Sequence, residues 1–125
     1  MTQLDQHDKK ELRIARENLY ALTELDPDMT VKQAIVLIEV ALNSGDILAS
    51  EIGDRVDMTG PSVTRCLDLW GFEGFEPKSP REMIRRDPDP SDRRFKILSL
   101  TPKGADFLKK ATDKRRKRGT IEAAD

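Results

Sequence analysis

Between Met83 and Thr101 the chain reads MIRRDPDPSDRRFKILSLT, and its two Arg-Arg pairs, Arg85-Arg86 and Arg93-Arg94, are the residues with the clearest chemistry. A guanidinium is a permanent cation with a planar fork of N–H donors, suited to phosphate oxygens and to base edges. The pairs flank a Pro/Asp-rich segment in which Pro88 and Pro90 fix φ and forbid a helix, while the Asp and Ser side chains bond the local backbone. We therefore expect a two-stranded hairpin: residues 83–86 running up, a turn over 87–92, and residues 93–100 running down. On the return strand Phe95 and Ile97 share one face, and Lys96, Leu98 and Leu100 the other, with Lys96 towards the wet end. Thr101 and Pro102 then suit the N-cap and first position of a helix. A basic hairpin running straight into a helix has the form of a wing.

The elements that must position this hairpin lie upstream. Apolar residues Leu12, Ala15, Leu19, Leu22 and Leu25 fall at helical spacing, predicting an amphipathic first helix over 8–25 that ends before Pro27. Its stripe is thin, so it either caps the domain or packs on a second copy of itself. Thr30 and Gln33 have capping-box spacing ahead of a second helix, to Asn43, whose wide apolar face we assign to Ala34, Ile35, Leu37, Ile38, Ala41 and Leu42. Ile47 and Leu48 suit a short third strand, and residues 49–56 a two-turn helix with Ile52 and Val56 inward. After a turn at Asp57-Met58-Thr59-Gly60, a fourth helix over 60–70 opens with an N-cap candidate and Pro61 in its first turn.

On that helix Val63, Leu67 and Trp70 share a face with Cys66 beside them, leaving Pro61, Ser62, Thr64, Arg65 and Asp68 outward. Two short helices joined by a tight turn, the second exposing small polar groups and an arginine, form a helix-turn-helix, which lays its second helix in a DNA major groove. Arg65 would contact guanine or a phosphate, and Ser62 and Thr64 phosphate or base edges. For Ser62 and Thr64 taken singly, ordinary surface polarity explains the residue equally well. Trp70 is read as a core anchor and Cys66 as a buried small hydrophobe. Gly71 stops the helix, and residues 72–81 form a Gly/Pro-broken link folded back by Phe72 and Phe75. A fifth helix runs from Thr101 to about Arg116.

Charge sorts along the chain. The whole carries a net charge of −1, but residues 1–80 hold 8 Lys/Arg against 15 Asp/Glu, whereas residues 81–118 hold 14 against 6. A phosphate surface responds to the local patch and not to the sum. The run Lys114-Arg115-Arg116-Lys117-Arg118 closes the basic segment, and cations at a helix C-terminus are also favoured by the helix dipole. One cysteine and one histidine allow no internal disulfide and no Cys/His metal site, so we expect no metal and no cofactor, and a reducing, cytoplasmic setting. No secretory segment and no apolar run near membrane-span length is present in the sequence. The 125 residues are expected to form one domain over 8–118, mainly α with a small β-hairpin, between flexible ends at 1–7 and 119–125.

The order of elements, together with Ser62-Val63-Thr64-Arg65-Cys66-Leu67-Asp68, Asp92-Arg93-Arg94 and Leu100-Thr101-Pro102-Lys103-Gly104, resembles the MarR family of winged helix-turn-helix transcription regulators. The resemblance covers about residues 30–110. It implies five helices with a two- or three-stranded wing sheet, the 60–70 helix in the major groove, and Arg94 in the adjacent minor groove. Asp92 would hold the wing arginines by charge-assisted hydrogen bonds. Two departures stand out. The 72–81 link is longer than the family's near-direct passage from helix to wing, which would shift the wing. The chain also stops soon after the fifth helix, where such regulators often continue into interlocking helices. A homodimer would then rest on helices 8–25 and 102–116, a monomer stays open, and no residue pattern specifies a small-molecule effector pocket.

The favoured reading is a double-stranded DNA-binding regulator, a repressor by occlusion. Phosphate contacts from Arg85, Arg86, Arg93 and the 114–118 run would give affinity, with Lys96 also in the DNA-binding set, while the helix carrying Ser62, Thr64 and Arg65 would give sequence preference and Arg94 would reach the minor groove. The alternative is a winged-helix protein-interaction module whose acidic first half docks a partner. An enzyme finds little support: His7 lies in the loose N-terminus, and neither a Gly-rich phosphate loop nor a nucleophile elbow is present.

Overall fold

The computed structural model describes residues 3–43, 47–72 and 80–124, the last nine of these as backbone alone. The order is α1 (Gln6–Leu25), α2 (Val31–Leu42), β1 (Ile47–Leu48), α3 (Ala49–Val56), α4 (Gly60–Trp70), β2 (Ile84–Asp89), β3 (Asp92–Leu100) and α5 (Pro102–Ala124). The chain divides into two compact units, residues 30–106 and residues 1–29 with 107–125.

The 30–106 unit is a winged helix. Thr30 caps α2 reciprocally, its hydroxyl accepting from the Gln33 amide at 3.2 Å while the Gln33 side chain accepts from the Thr30 amide at 2.9 Å. The sheet is antiparallel in the order β1-β3-β2, so the short strand Ile47–Leu48 is real and β2 is an edge. Trp70, Leu37, Ile52, Leu69, Ile84 and Leu98 are its largest fully buried side chains.

The face of α2 differs from expectation. Ala34, Val36, Leu37 and Val40 are buried, whereas Ile35, Ile38 and Leu42 are exposed. This helix is apolar almost all round, and periodicity selects no face when polar residues do not mark the other one.

The hairpin turn is tighter than expected. Asp87 and Pro88 continue β2 opposite Ile97 and Lys96, and only Pro90 and Ser91 turn, with the register shift falling between Pro88 and Asp89. An edge strand tolerates Pro88 because the missing N–H would face outward. The Asp89 carboxylate accepts from the Ser91 amide at 3.0 Å and its hydroxyl at 2.7 Å, closing the turn.

Thr101 starts α5 as its composition suggested, its hydroxyl accepting from the Gly104 amide at 3.0 Å while donating to the Glu82 carbonyl at 2.7 Å. Gly104 faces the base of β2 so closely that a Cβ there would lie 2.5 Å from the Met83 carbonyl oxygen and 2.8 Å from Leu100 Cδ1. Gly104→Ala is therefore expected to cost about 1–3 kcal/mol, the usual range for overpacking. A urea unfolding curve that superimposes on the parent's would refute this.

In the other unit, α1 begins at Gln6 and not at residue 8. Asp5 and Asp8 form a capping box, with Asp5 Oδ1 accepting from the Asp8 amide at 2.8 Å, so the expected loose N-terminus already belongs partly to the helix. The predicted stripe divides: Leu22 is buried, while Leu12 and Leu19 are exposed and, together with Tyr20 from outside that stripe, border a shallow groove with Ala15, Arg16 and Thr23. Lys114 Nζ lies 3.5 Å from Glu24. The backbone of α5 stays helical to Ala124, well past the expected end near Arg116 and through most of the tail expected to be flexible. The side chains of Arg116, Lys117 and Arg118 lie outside the described residues, as does Phe75 in the link.

Candidate nucleic-acid interface

The turn before α4 is built by backbone geometry. Asp57 ends α3 in the left-handed region at φ 53°, and the Met58 amide donates to the Gly53 carbonyl at 3.0 Å. Thr59 then caps α4: its oxygen accepts from the Ser62 amide at 3.3 Å, and its hydroxyl donates to Ser62 Oγ at 3.0 Å. The Ser62 hydroxyl hydrogen stays available for an outside acceptor. One turn further on, Thr64 and Arg65 are exposed, while Val63, Cys66, Leu67, Leu69 and Trp70 anchor the opposite side. Trp70 also donates its ring N–H to the Gln33 carbonyl at 2.7 Å, fixing α4 on α2. Burial pushes the Cys66 thiol up from its usual pKa, against a smaller downward pull from Lys32, so this cysteine is packing and not a reactive group.

At the wing, Asp92 grips Arg94. Its Oδ1 accepts from the Arg94 amide at 3.1 Å and Nε at 3.0 Å, and its Oδ2 from Nη2 at 2.7 Å. The Arg94 side chain is nonetheless 85% exposed, lying with its guanidinium carbon 5.9 Å from the Phe95 ring centroid. The bonds from Arg94 hold the Asp92 carboxyl below the usual aspartate value and raise Arg94 further. Arg85, Arg93 and Lys96 are exposed.

Arg86 is placed differently from its predicted companions. It pairs with Leu98 across the sheet, on the side of β2 that carries buried Ile84, and its Nη2 donates to Asp68 Oδ1 at 2.9 Å. Asp68, expected outward, is correspondingly part-buried. The signal was present in the sequence: Arg86 stands two residues after an isoleucine on a strand, hence on the same face.

Phe72, expected to fold the link back, is exposed. What holds the wing's base is main chain. The amides of Arg81, Glu82 and Met83 donate to the carbonyls of Leu69, Gly71 and Trp70 at 3.0, 2.8 and 2.7 Å. The end of α4 and the start of the wing are therefore joined directly, whatever the length of the link between them.

The chain has the winged helix-turn-helix fold of the MarR-type regulators. It aligns with a mutant of Staphylococcus aureus MepR bound to an oligodeoxyribonucleotide at a TM-score of 0.73 and 18% identity, over 98% of this chain and 85% of that one. Against a mutant of Escherichia coli MarR complexed with operator DNA, the TM-score is 0.59 at 23% identity, over 84% and 70% of the two chains. In sequence it is 30% identical over 88 residues to YhbI of Bacillus subtilis, described as an uncharacterized HTH-type transcriptional regulator. That match takes in 70% of this chain, which spans about half the length of that relative. No protein-family model matches the chain. No helix among the described residues is long and apolar enough to cross a membrane.

Proposed function

We propose that this chain binds double-stranded DNA as a transcriptional regulator of the MarR type, a repressor by occlusion that works in the cytoplasm and not as an enzyme. Helix α4 enters the major groove with Ser62, Thr64 and Arg65. The wing lies along the adjacent minor groove with Arg94 inserted, oriented by Asp92. Arg85, Arg93 and Lys96 grip the phosphates. The observation that carries this reading is the pairing, in one fold unit, of a helix exposing Thr64 and Arg65 with a wing arginine held in a two-pronged carboxylate grip yet 85% exposed. The same fold is found in MepR and MarR, each solved with DNA.

A second copy is the partner that α1 suits best, since Leu12, Leu19 and Tyr20 form an exposed apolar row beside Ala15. A dimer would place two readers on a palindromic site, with half-sites separated by about one helical turn.

The test is selection from a random duplex pool. Enrichment of one sequence, palindromic if two copies bind, is the expected result. A pool that stays random while binding persists would reduce the protein to a non-specific cation, and absence of binding would favour a protein-interaction module.

A further inference from the structure

We infer that Arg86 and Asp68 form a positioning strut that locks the wing to the recognition helix, so that the two are presented to DNA as one rigid reader. The inference rests on the DNA-binding reading and deepens it, because it removes Arg86 from the phosphate-contacting set and gives it a different task.

The geometry is specific. Asp68 lies on α4 in the turn before Trp70, and Arg86 on β2 three residues into the wing from Met83. Their 2.9 Å contact is shielded, with side chains 18% exposed at Arg86 and 28% at Asp68. Screening by salt is weak for a pair so placed, and a rigid guanidinium fork fixes direction as well as distance. The three main-chain bonds from residues 81–83 to the carbonyls of residues 69–71 hold only the wing's base. A hairpin hinged at its base could still swing. Arg86 is a charged contact further along the strand that ties it to α4, and it sits opposite Leu98, which is itself buried. Arg94 extends from the far end of the same hairpin, where a small rotation at the base becomes a large displacement at the tip.

A phosphate contact and a strut predict opposite results. If Arg86 touched phosphate, Arg86→Ala would flatten the log–log salt dependence of binding by about 0.9 and Asp68→Ala would leave or improve affinity. For the strut, Arg86→Ala and Asp68→Ala each weaken binding, roughly 3- to 30-fold, the range for residues that act through coupling. Both leave the salt slope unchanged, and the double variant is no worse than the weaker single one.

The experiment is a double-mutant cycle of Asp68→Ala and Arg86→Ala on a mixed duplex DNA pool over a salt series. Circular dichroism confirms folding, and Asp68→Asn with Arg86→Gln serves as a milder pair should the alanine variants unfold. Non-additive losses at constant slope are expected. Additive losses, or a slope change confined to the Arg86 variant, overturn the strut. If the parent protein binds no duplex DNA, the proposed function fails, and the strut is still tested by amide exchange. Asp68→Ala should then speed exchange across residues 84–100 while leaving α2 protected, and unchanged exchange in the wing would overturn it.

Discussion

Replacing Trp70 with alanine is expected to remove a large share of the stability of the 30–106 unit. Trp70 is fully buried, and truncating a buried tryptophan costs about 3–5 kcal/mol, against a total stability of about 5–15 kcal/mol for a domain of this kind. Position multiplies the effect. Its ring N–H bonds the α2 carbonyl of Gln33, and its own carbonyl accepts from Met83 at the entry to β2, so one residue joins α2, α4 and the wing. Trp70→Phe separates the contributions. It keeps most of the ring volume and loses one hydrogen bond, at about 1 kcal/mol from that bond plus a smaller packing loss. Because the chain has a single tryptophan, unfolding is best followed by far-ultraviolet circular dichroism in urea. A Trp70→Ala variant as stable as the parent would mean that this anchor does not hold the unit together.

Arg94→Ala is expected to weaken DNA binding about tenfold to hundredfold, corresponding to about 1–3 kcal/mol for a well-held groove contact, while leaving stability unchanged. The side chain is 85% exposed and supports no core, so the loss would belong to recognition. Asp92→Asn should reproduce part of the defect by releasing Nε and Nη2 from their grip. The sign of the pH dependence follows from the depressed Asp92 carboxyl. The charged pair is complete above the ordinary aspartate range and is lost only as pH falls through a value below 3.8, so the Arg94 contribution should be flat from about pH 5 to 8. Binding that depended on Arg94 at pH 7 but not at pH 5.5 would contradict this account.

Much of the fold was legible because local signals agreed with each other. The Thr30/Gln33 capping box, the Thr59-Gly60-Pro61 opening of α4 and the Thr101-Pro102 start of α5 each name a helix beginning by a hydrogen bond that the structure contains. Asp92 was legible as the holder of a wing arginine through the family resemblance, and the arginine it grips is Arg94. Two placements were not legible where one-dimensional patterns are ambiguous. Alternation puts Arg86 on the face of Ile84, yet a basic pair invites both members to be counted as surface, and its acceptor Asp68 is 18 residues away. Likewise Val36 and Val40, and not Ile35 and Ile38, turned inward on α2, because only tertiary packing distinguishes two apolar faces of one helix. The pairing of residues 81–83 with the end of α4 is a long-range backbone feature that the length of the link does not report.

The measurement that tests the central claim most directly is fluorescence-anisotropy binding to a mixed duplex DNA pool across a salt series, comparing the parent chain with the Arg65→Ala/Arg94→Ala double variant. The exposed cations Arg85, Arg93 and Lys96, assigned to the phosphates, predict a log–log salt slope of about −2.7, at about 0.9 per contact. The account predicts that steep slope for the parent and a loss of at least about tenfold in the variant, with unfolding curves that coincide. Binding that is flat in salt, or identical in parent and variant, would contradict the assignment of α4 and the wing as a DNA-reading surface.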